Sequence, residues 1–439
     1  MSTLRAYRFQ LRCKPEQERA LRRSAGCARW IWNQAISEQR RRYAAGEKYA
    51  GYAEMCKWLT TWRNAPETIW LSEAPIPPQQ QALKRLHEAY QRFFAKAGGY
   101  PSFKRHGEEP GLRFPAAAHF QIDQPNQRIK VMKLGWLRIK QSQGINGTPK
   151  NLSLSKEGAR WFASIQVELP DVLPAAGLEP SLAIDVGLTV FAATSAGVKI
   201  KPLLALKRQA RYVRRAQKSV SRKVKGSANR KKAICKLGDL HRRIARQRED
   251  WLHKLTTELA DRHPVIAIED LRIKNMSASA KGTKDAPGKN IRQKAGLNRS
   301  ILDAAWGEFG RQLQYKLQWR GGQLVLVEPA YSSQTCAACD HVAAENRKSQ
   351  ALFKCVACGH AENADINAAQ VLLQRAKEQW AAGHAAQAGE SSPATACGEV
   401  VRRRPARKRS DAASVKQEST EVLTRTISLM STQQESRSL

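Results

Sequence analysis

Residues 332–370 read SSQTCAACDHVAAENRKSQALFKCVACGHAENADINAAQ. Two Cys-x-x-Cys pairs, Cys336/Cys339 and Cys355/Cys358, stand fifteen residues apart. Each pair sets two thiolates on one tight turn, and two such turns complete a tetrahedron of sulfurs around a zinc ion. Four sulfurs close the coordination shell, so the expected zinc is structural rather than catalytic. Gly359 follows the second pair and lets the turn close. His341 and His360 flank the pairs as alternative ligands, or as ordinary polar neighbours. The stretch predicts a zinc ribbon over 332–360. A helix follows over about 363–376, with Asp365 near its start.

Upstream, strands and helices alternate. QLVLVEP (323–329), VIAIEDL (265–271) and SLAIDVG (181–187) are short apolar runs, the pattern of strands buried on both faces. LTVFAATSAGVKI (188–200) reads as two more strands about a turn at 195–197. Residues 298–319 place Ile301, Ala305, Phe309, Leu313 and Leu317 on one face of a single helix, while 272–296 reads as loose. Residues 201–254 are helical with a break at 226–229, and carry 19 Lys and Arg against three acids.

Two of the apolar strands contain acids. Asp185 lies inside one and Glu269 ends the other. A carboxylate in such a strand loses hydration and needs a partner or a cation. With Asp365 they make three acids from three elements. Such a set can hold two divalent cations about 4 Å apart, the arrangement that supports in-line phosphodiester hydrolysis. Oxygen ligands suit Mg²⁺. Each acid also has a plainer reading. Asp185 can cap a turn before Gly187, Asp365 can cap its helix, and Glu269, beside Asp270, can pair with one of the many arginines.

The N-terminal half has another texture. TLRAYRFQLR (3–12) alternates like a strand, and 16–97 carry only helical patterns, with breaks near Gly46 and at 74–78. Trp30, Trp32, Tyr90 and Phe94 fall at helical spacing and read as core ahead of base-stacking residues. From Tyr100, short alternating runs between Gly, Pro and Asn turns predict a small antiparallel β-barrel or sandwich that the 3–12 strand joins. DVLPAAGLEP (171–180) reads as a linker. Beyond about residue 382 the composition predicts a disordered tail, whose basic run RRRPARKR (402–409) is either an accessory nucleic-acid contact or a solvated tail.

Charge points to a partner class. The 439 residues carry 75 Lys and Arg against 38 Asp and Glu, a net charge of +37. That excess opposes compaction, and a nucleic-acid partner is its usual reason. No run of about 18 apolar residues, secretory signal or lipidation motif is present, which argues against membrane and secreted readings and leaves the cytoplasm. Nine cysteines, an odd number, argue against a disulfide framework.

The order DVGL (185–188), IEDL (268–271), SSQTCAACD (332–340), CVACGH (355–360), ADINAAQ (364–370) resembles the RuvC-like nuclease of the OrfB/TnpB proteins of bacterial insertion sequences, ancestors of type V CRISPR effectors. The resemblance extends through YRFQLRCKPEQERALRRSAGCARWIWNQAI (7–36) and YPSFKRHGEEPGLRF (100–114), and covers roughly residues 3–380. It implies a multidomain chain that combines α/β, all-β and all-α parts. A β-barrel (wedge) domain would take 1–14 plus 99–175, and a helical recognition domain 15–98. An RNase H-like (RuvC) nuclease would take 181–331 plus 361–381, with the zinc ribbon (332–360) inserted in it and the tail (382–439) after it.

The resemblance further implies a catalytic set at Asp185, Glu269 and Asp365 that binds Mg²⁺, a structural Zn²⁺ on Cys336, Cys339, Cys355 and Cys358, and a guide RNA from the transposon end. The implied activity is RNA-guided cleavage of double-stranded DNA beside a transposon-associated motif. Proteins of this kind carry the historical label of transposase. Two readings compete. One is a catalytically silent nucleic-acid-binding regulator of the same fold, which the presence of all three acids disfavours. The other is a DNA-strand transferase, whose D…D…E order is unlike the order here.

Overall fold

The computed structural model describes residues 3–105, 107, 110–170, 178–282, 287–349 and 351–389. The linker expected at 171–180 falls largely outside the described residues, as does the tail beyond 389 with its basic run. The chain divides into two units, 1–384 and 385–439. Everything below belongs to the first, apart from the last residues of the final helix.

The chain opens with β1 (Thr3–Arg12), followed by α1 (Pro15–Ala44), α2 (Tyr52–Asn64), a 3₁₀ turn at 66–73, and α3 (Ile76–Phe94). Pro15 at the first turn of α1 and Pro77 and Pro78 at that of α3 sit where no amide donor is needed. Leu21 and Ala25 of α1 join the core of the neighbouring sheet. Further along the same helix, Ile31 and Ile36 pack with Met55, Leu59, Leu71, Leu83 and Leu86 in a second, helical core. Trp32 and Tyr90 are buried there and Trp30 packs against it. Phe94 is 52% exposed, so the core reading fails for that ring.

The β-rich part comprises β2 (Leu112–Phe114), β3 (Phe120–Asp123), β4 (Arg128–Val131), β5 (Gly135–Lys140), β6 (Thr148–Glu157) and β7 (Arg160–Leu169). Together with β1 they form a seven-stranded sheet in the order β2-β6-β7-β1-β5-β4-β3, antiparallel throughout. β1 does join it, pairing with β7 and β5. The barrel expectation is corrected in one respect. Among the described residues no pairing joins the edge strands β2 and β3, so the ladder stays open. Both edge strands are only three or four residues long.

The third part is α/β. It runs β8 (Leu182–Val186), β9 (Ala192–Thr194), β10 (Lys199–Ile200), α4 (Ala205–Ser221), α5 (Ala228–Arg262), β11 (Val265–Glu269), α6 (Ile273–Met276), α7 (Ile291–Ala304), α8 (Trp306–Gln318) and β12 (Gln323–Val327). After β13 (Leu352–Lys354) and β14 (Ala361–Asn363), α9 (Ala364–Gly389) ends the described chain. The sheet order is β10-β9-β8-β11-β12, with β8, β11 and β12 parallel. Side chains alternate across it. Leu182, Ile184, Ile266 and Ile268 pack with α5 and α8 residues such as Leu252, Phe309 and Leu313. Ala183, Val265 and Ala267 pack with Leu372 and Ala376 of α9. The sheet is therefore covered on both faces, which is why its strands read as continuous apolar runs.

Three expectations are corrected here. The single helix at 298–319 is two helices, because Ala305 adopts a left-handed conformation (φ 58°) between them. The loose stretch 272–296 contains α6 and the start of α7. The tail expected from 382 begins no earlier than 390. The alanine-rich run after Trp380 carries α9 on to Gly389, as alanine's helix propensity favours. Among the described residues no helix is long and apolar enough to cross a membrane.

Candidate active site and zinc ribbon

The alternation of the sheet decides where the acids point. Asp185 is two residues after Ala183, and Glu269 is two after Ala267, so both belong to the α9 face. The parallel register pairs Ile184 with Ile268, which sets Asp185 and Glu269 side by side at the carboxyl ends of neighbouring strands. That end of an open α/β sheet is where ligands usually bind. Asp365 stands in the first turn of α9, the helix that covers this face.

Gly187 allows the chain to turn away directly after Asp185. A Cβ there would lie 2.8 Å from the Val190 carbonyl oxygen, too close for any side chain. The turn is closed by Gly187 N–H donating to Phe191 O at 3.1 Å.

The oxygens of the three acids do not all lie within 4.8 Å of one another, yet Asp185 responds to both of the others. Burial pushes the Asp185 carboxyl up to about 7, and the Glu269 and Asp365 carboxylates push it the same way. The Arg347 guanidinium opposes them. Glu269 is also raised by burial, against a hydrogen bond from Ser332 Oγ at 3.2 Å. Arg347 lies 3.8 Å from Asp365. The plainer readings fare differently. The amide at the start of α9 is capped by Asn363 Oδ1, which accepts from Asp365 N–H at 3.3 Å, so the capping side chain is Asn363 and not Asp365. Among the described residues Glu269 is hydrogen-bonded by Ser332 and paired with no arginine.

The four cysteines are gathered more tightly. Among the described residues they are the one set of three or more candidate ligands whose donor atoms all lie within 4.8 Å of one another. Cys336 Sγ is 3.7 Å from Cys358 Sγ, and Cys339 Sγ is 3.6 Å from Cys355 Sγ. A tetrahedron with Zn–S bonds of about 2.3 Å has edges of about 3.8 Å, so the quartet fits zinc as it stands. The two knuckles are alike: Cys336 N–H donates to His341 O at 3.0 Å, and Cys355 N–H to His360 O at 2.8 Å. Gly359 has φ 76°, the conformation its place in the turn requires. Amides of Cys358 and Ala357 aim at the Cys355 sulfur and lower its thiol to about 6. His341 and His360 stay outside the quartet, His360 pairing with Glu362 at 3.5 Å.

The basic expectation centres on α4. Arg211, Arg214, Arg215, Lys218, Arg222 and Lys223 line one surface groove of about 450 Å³ that has no acidic residue in its wall. Cations at three- and four-residue spacing on a helix repel one another. A polyanion laid along them offsets that repulsion.

Sequence reasoning missed Ser332, Arg347 and Asn367. The only signal was position, since each lies inside or beside a motif already singled out for another reason.

Comparison with known proteins gives the lineage. A family profile described as "Probable transposase" (OrfB_IS605) matches residues 164–280. Others match 306–372 ("Cas12f1-like, TNB domain") and 1–48 ("Helix-turn-helix domain"). "Putative RNA-guided DNA endonuclease InsQ" of Escherichia coli (strain K12) is 43% identical over 401 residues, covering 91% of this chain and 96% of that one. The chain belongs to the OrfB/IS605 family.

A second family member, "Putative RNA-guided DNA endonuclease" of Streptomyces pristinaespiralis, is 32% identical over 420 residues, covering 94% and 96% of the two chains. Among solved structures, "Structure of the mini-RNA-guided endonuclease CRISPR-Cas_phi3" superposes loosely, with a TM-score of 0.43 and 10% identity over 86% of this chain and 92% of that one. The OrfB match contains Asp185 and Glu269, and the TNB match contains the four cysteines and Asp365. The helix-turn-helix match falls on β1 and the single long helix α1.

Proposed function

We propose that this OrfB/IS605 protein is an RNA-guided, magnesium-dependent DNA endonuclease with an RNase H-like (RuvC) core. In this reading 181–331 plus 361–381 are the nuclease and 332–360 its inserted zinc ribbon. Residues 1–14 plus 99–175 are a wedge domain, and 15–98 are a recognition domain. What supports the reading is that Asp185 and Glu269 stand side by side at the carboxyl ends of neighbouring parallel strands, with Asp365 in the first turn of the helix that covers that face. There Asp185 is held near 7 by burial and by the other two acids. Carboxylates crowded in this way fit a divalent cation, which relieves both the burial and the repulsion.

Asp185, Glu269 and Asp365 would hold the magnesium. When bound, it supplies a polarised water and charge neutralisation at the departing 3′ oxygen. The chain's own part is to fix the three carboxylates and to bring the phosphate to them. The α4 groove supports the second task, gripping the backbone of the guide–target duplex or of the displaced strand while base pairing reads sequence. A guide RNA transcribed from the transposon end and a short motif beside the target complete the reading.

The test uses the purified protein with its co-purified RNA. Matched double-stranded DNA should be cut with Mg²⁺ and left intact with EDTA or with Asp185→Ala. Sequence-matched binding without any Mg²⁺-dependent product would instead identify a silent regulator, and joined transposon ends made by this chain alone would identify a strand transferase.

A further inference from the structure

The ribbon is bound to the acids by a short chain of buried polar contacts. Asn367 lies two residues beyond Asp365 on α9 and is fully buried. Its Oδ1 accepts from Ala337 N–H at 3.0 Å, inside the first Cys-x-x-Cys turn. Its Nδ2 donates to Thr335 O at 2.8 Å, one residue before Cys336. One side chain thus satisfies both polar directions of the first knuckle from the helix that carries Asp365. At the other end of the same loop, Ser332 is 5% exposed and donates to Glu269 Oε1. Arg375 of α9 grips the same loop on both sides of Ser332, its Nη1 donating to Ala330 O at 2.7 Å and its Nη2 to Thr335 Oγ1 at 3.3 Å.

The two knuckles are locked to each other by Asn346, also fully buried. It donates to Gln334 O at 2.9 Å on the first knuckle side and accepts from Val356 N–H at 2.9 Å on the second. These bonds need both knuckles folded, which a zinc ion held by the four sulfurs would secure.

We propose that Ser332 and Asn367 are positioning residues, through which the zinc-folded ribbon fixes Glu269 and Asp365 in the geometry that binds the catalytic cation. The proposal rests on the active-site reading above. Neither residue touches the reacting atoms; each holds an acid or the helix beneath one. Partners of metal-binding carboxylates typically contribute 10–100-fold in metal affinity or activity. The ribbon then serves as a strut for the nuclease centre as well as a separately folded module.

The test compares full-length variants purified with their RNA. Three quantities are read: zinc content, binding of the Mn²⁺ that Asp185→Ala abolishes (by electron paramagnetic resonance), and the Mg²⁺ midpoint of DNA cleavage. Ser332→Ala should keep its zinc and its DNA binding, yet weaken that Mn²⁺ about 10-fold and raise the Mg²⁺ midpoint in step. Ser332→Thr, which keeps the hydroxyl, should restore both. Asn367→Asp keeps the acceptor for Ala337 and loses the donor to Thr335, and should shift the same midpoints with zinc retained. Wild-type protein stripped of zinc with a zinc-selective chelator and then dialysed should lose Mn²⁺ affinity though no acid has changed.

Zinc-loaded Ser332→Ala and Asn367→Asp with wild-type Mn²⁺ and Mg²⁺ midpoints would overturn the proposal. So would unchanged Mn²⁺ affinity after zinc removal. If wild type holds no Mn²⁺ that Asp185→Ala removes, the active-site reading itself has failed and the positioning role falls with it.

Discussion

The cysteine quartet and the carboxylate trio are two sets of candidate ligands built in opposite ways. The quartet comes from 23 consecutive residues, and its donor atoms all lie within 4.8 Å of one another. The trio comes from β8, β11 and α9 and spans 181 residues of sequence, and its oxygens do not all lie within 4.8 Å of one another. Local turns make a closed shell that wants one ion and leaves it no open position. The difference teaches that local turns can set four thiols into a compact quartet, whereas acids from distant elements act on one another through burial and charge, as the Asp185 carboxyl pushed up to about 7 records.

The largest expected effect breaks the quartet. Cys355→Ser should lose zinc and folded yield together, measured by metal analysis and thermal unfolding, because a structural zinc site contributes folding free energy directly. A purified mutant with full stability and activity would remove the structural role. The next effect breaks the trio's chemistry and leaves its fold. Asp185→Ala should cut matched DNA about 10³-fold or more slowly, a loss of about 4 kcal/mol in transition-state stabilisation, with DNA binding retained.

A third prediction sets the two regions against each other by sign. Asp185 titrates near 7 in the fold, above its ordinary 3.8. Between those values the folded state holds the extra proton, so this group makes stability fall as pH rises from about 4 to about 7. Above pH 7 the penalty is fully present. Without divalent cations, Asp185→Asn should therefore be more stable than wild type at pH 8, by ~1–3 kcal/mol after discounting the full shift for partial exposure. Near pH 4 the advantage should vanish. Denaturant unfolding at both pH values checks it. Loss of stability at pH 8, as expected for the quartet, would make the two regions alike.

The smallest effect concerns α4. Replacing Arg211, Arg214 and Lys218 by Gln should flatten the dependence of log binding constant on log salt by up to about 0.9 per lost phosphate contact. An unchanged slope would leave the groove without a polyanion.

What was legible in the sequence follows the same division. The quartet is local, so spacing alone pointed to it. The strands that carry Asp185 and Glu269 were legible because burial on both faces leaves an apolar run around each acid. That Asp185 and Glu269 share the α9 face needed the register of β8 on β11, which no local pattern encodes. The break at Ala305 was hidden because the apolar spacing from Ile301 to Leu317 continues across it, although α7 buries only Ile301 and α8 buries Trp306, Phe309, Leu313 and Leu317. Ser332 and Asn367 carried no signal of their own, since a serine before a knuckle and an asparagine in a first turn are ordinary until their partners are known.

Anomalous diffraction from crystals grown with Mn²⁺, recorded at the manganese and zinc edges, probes the gathering of the three acids most directly. The account predicts manganese bounded by the carboxylates of Asp185, Glu269 and Asp365, and zinc among the four cysteines. Manganese bound at some other carboxylates, with those three left bare, would contradict it.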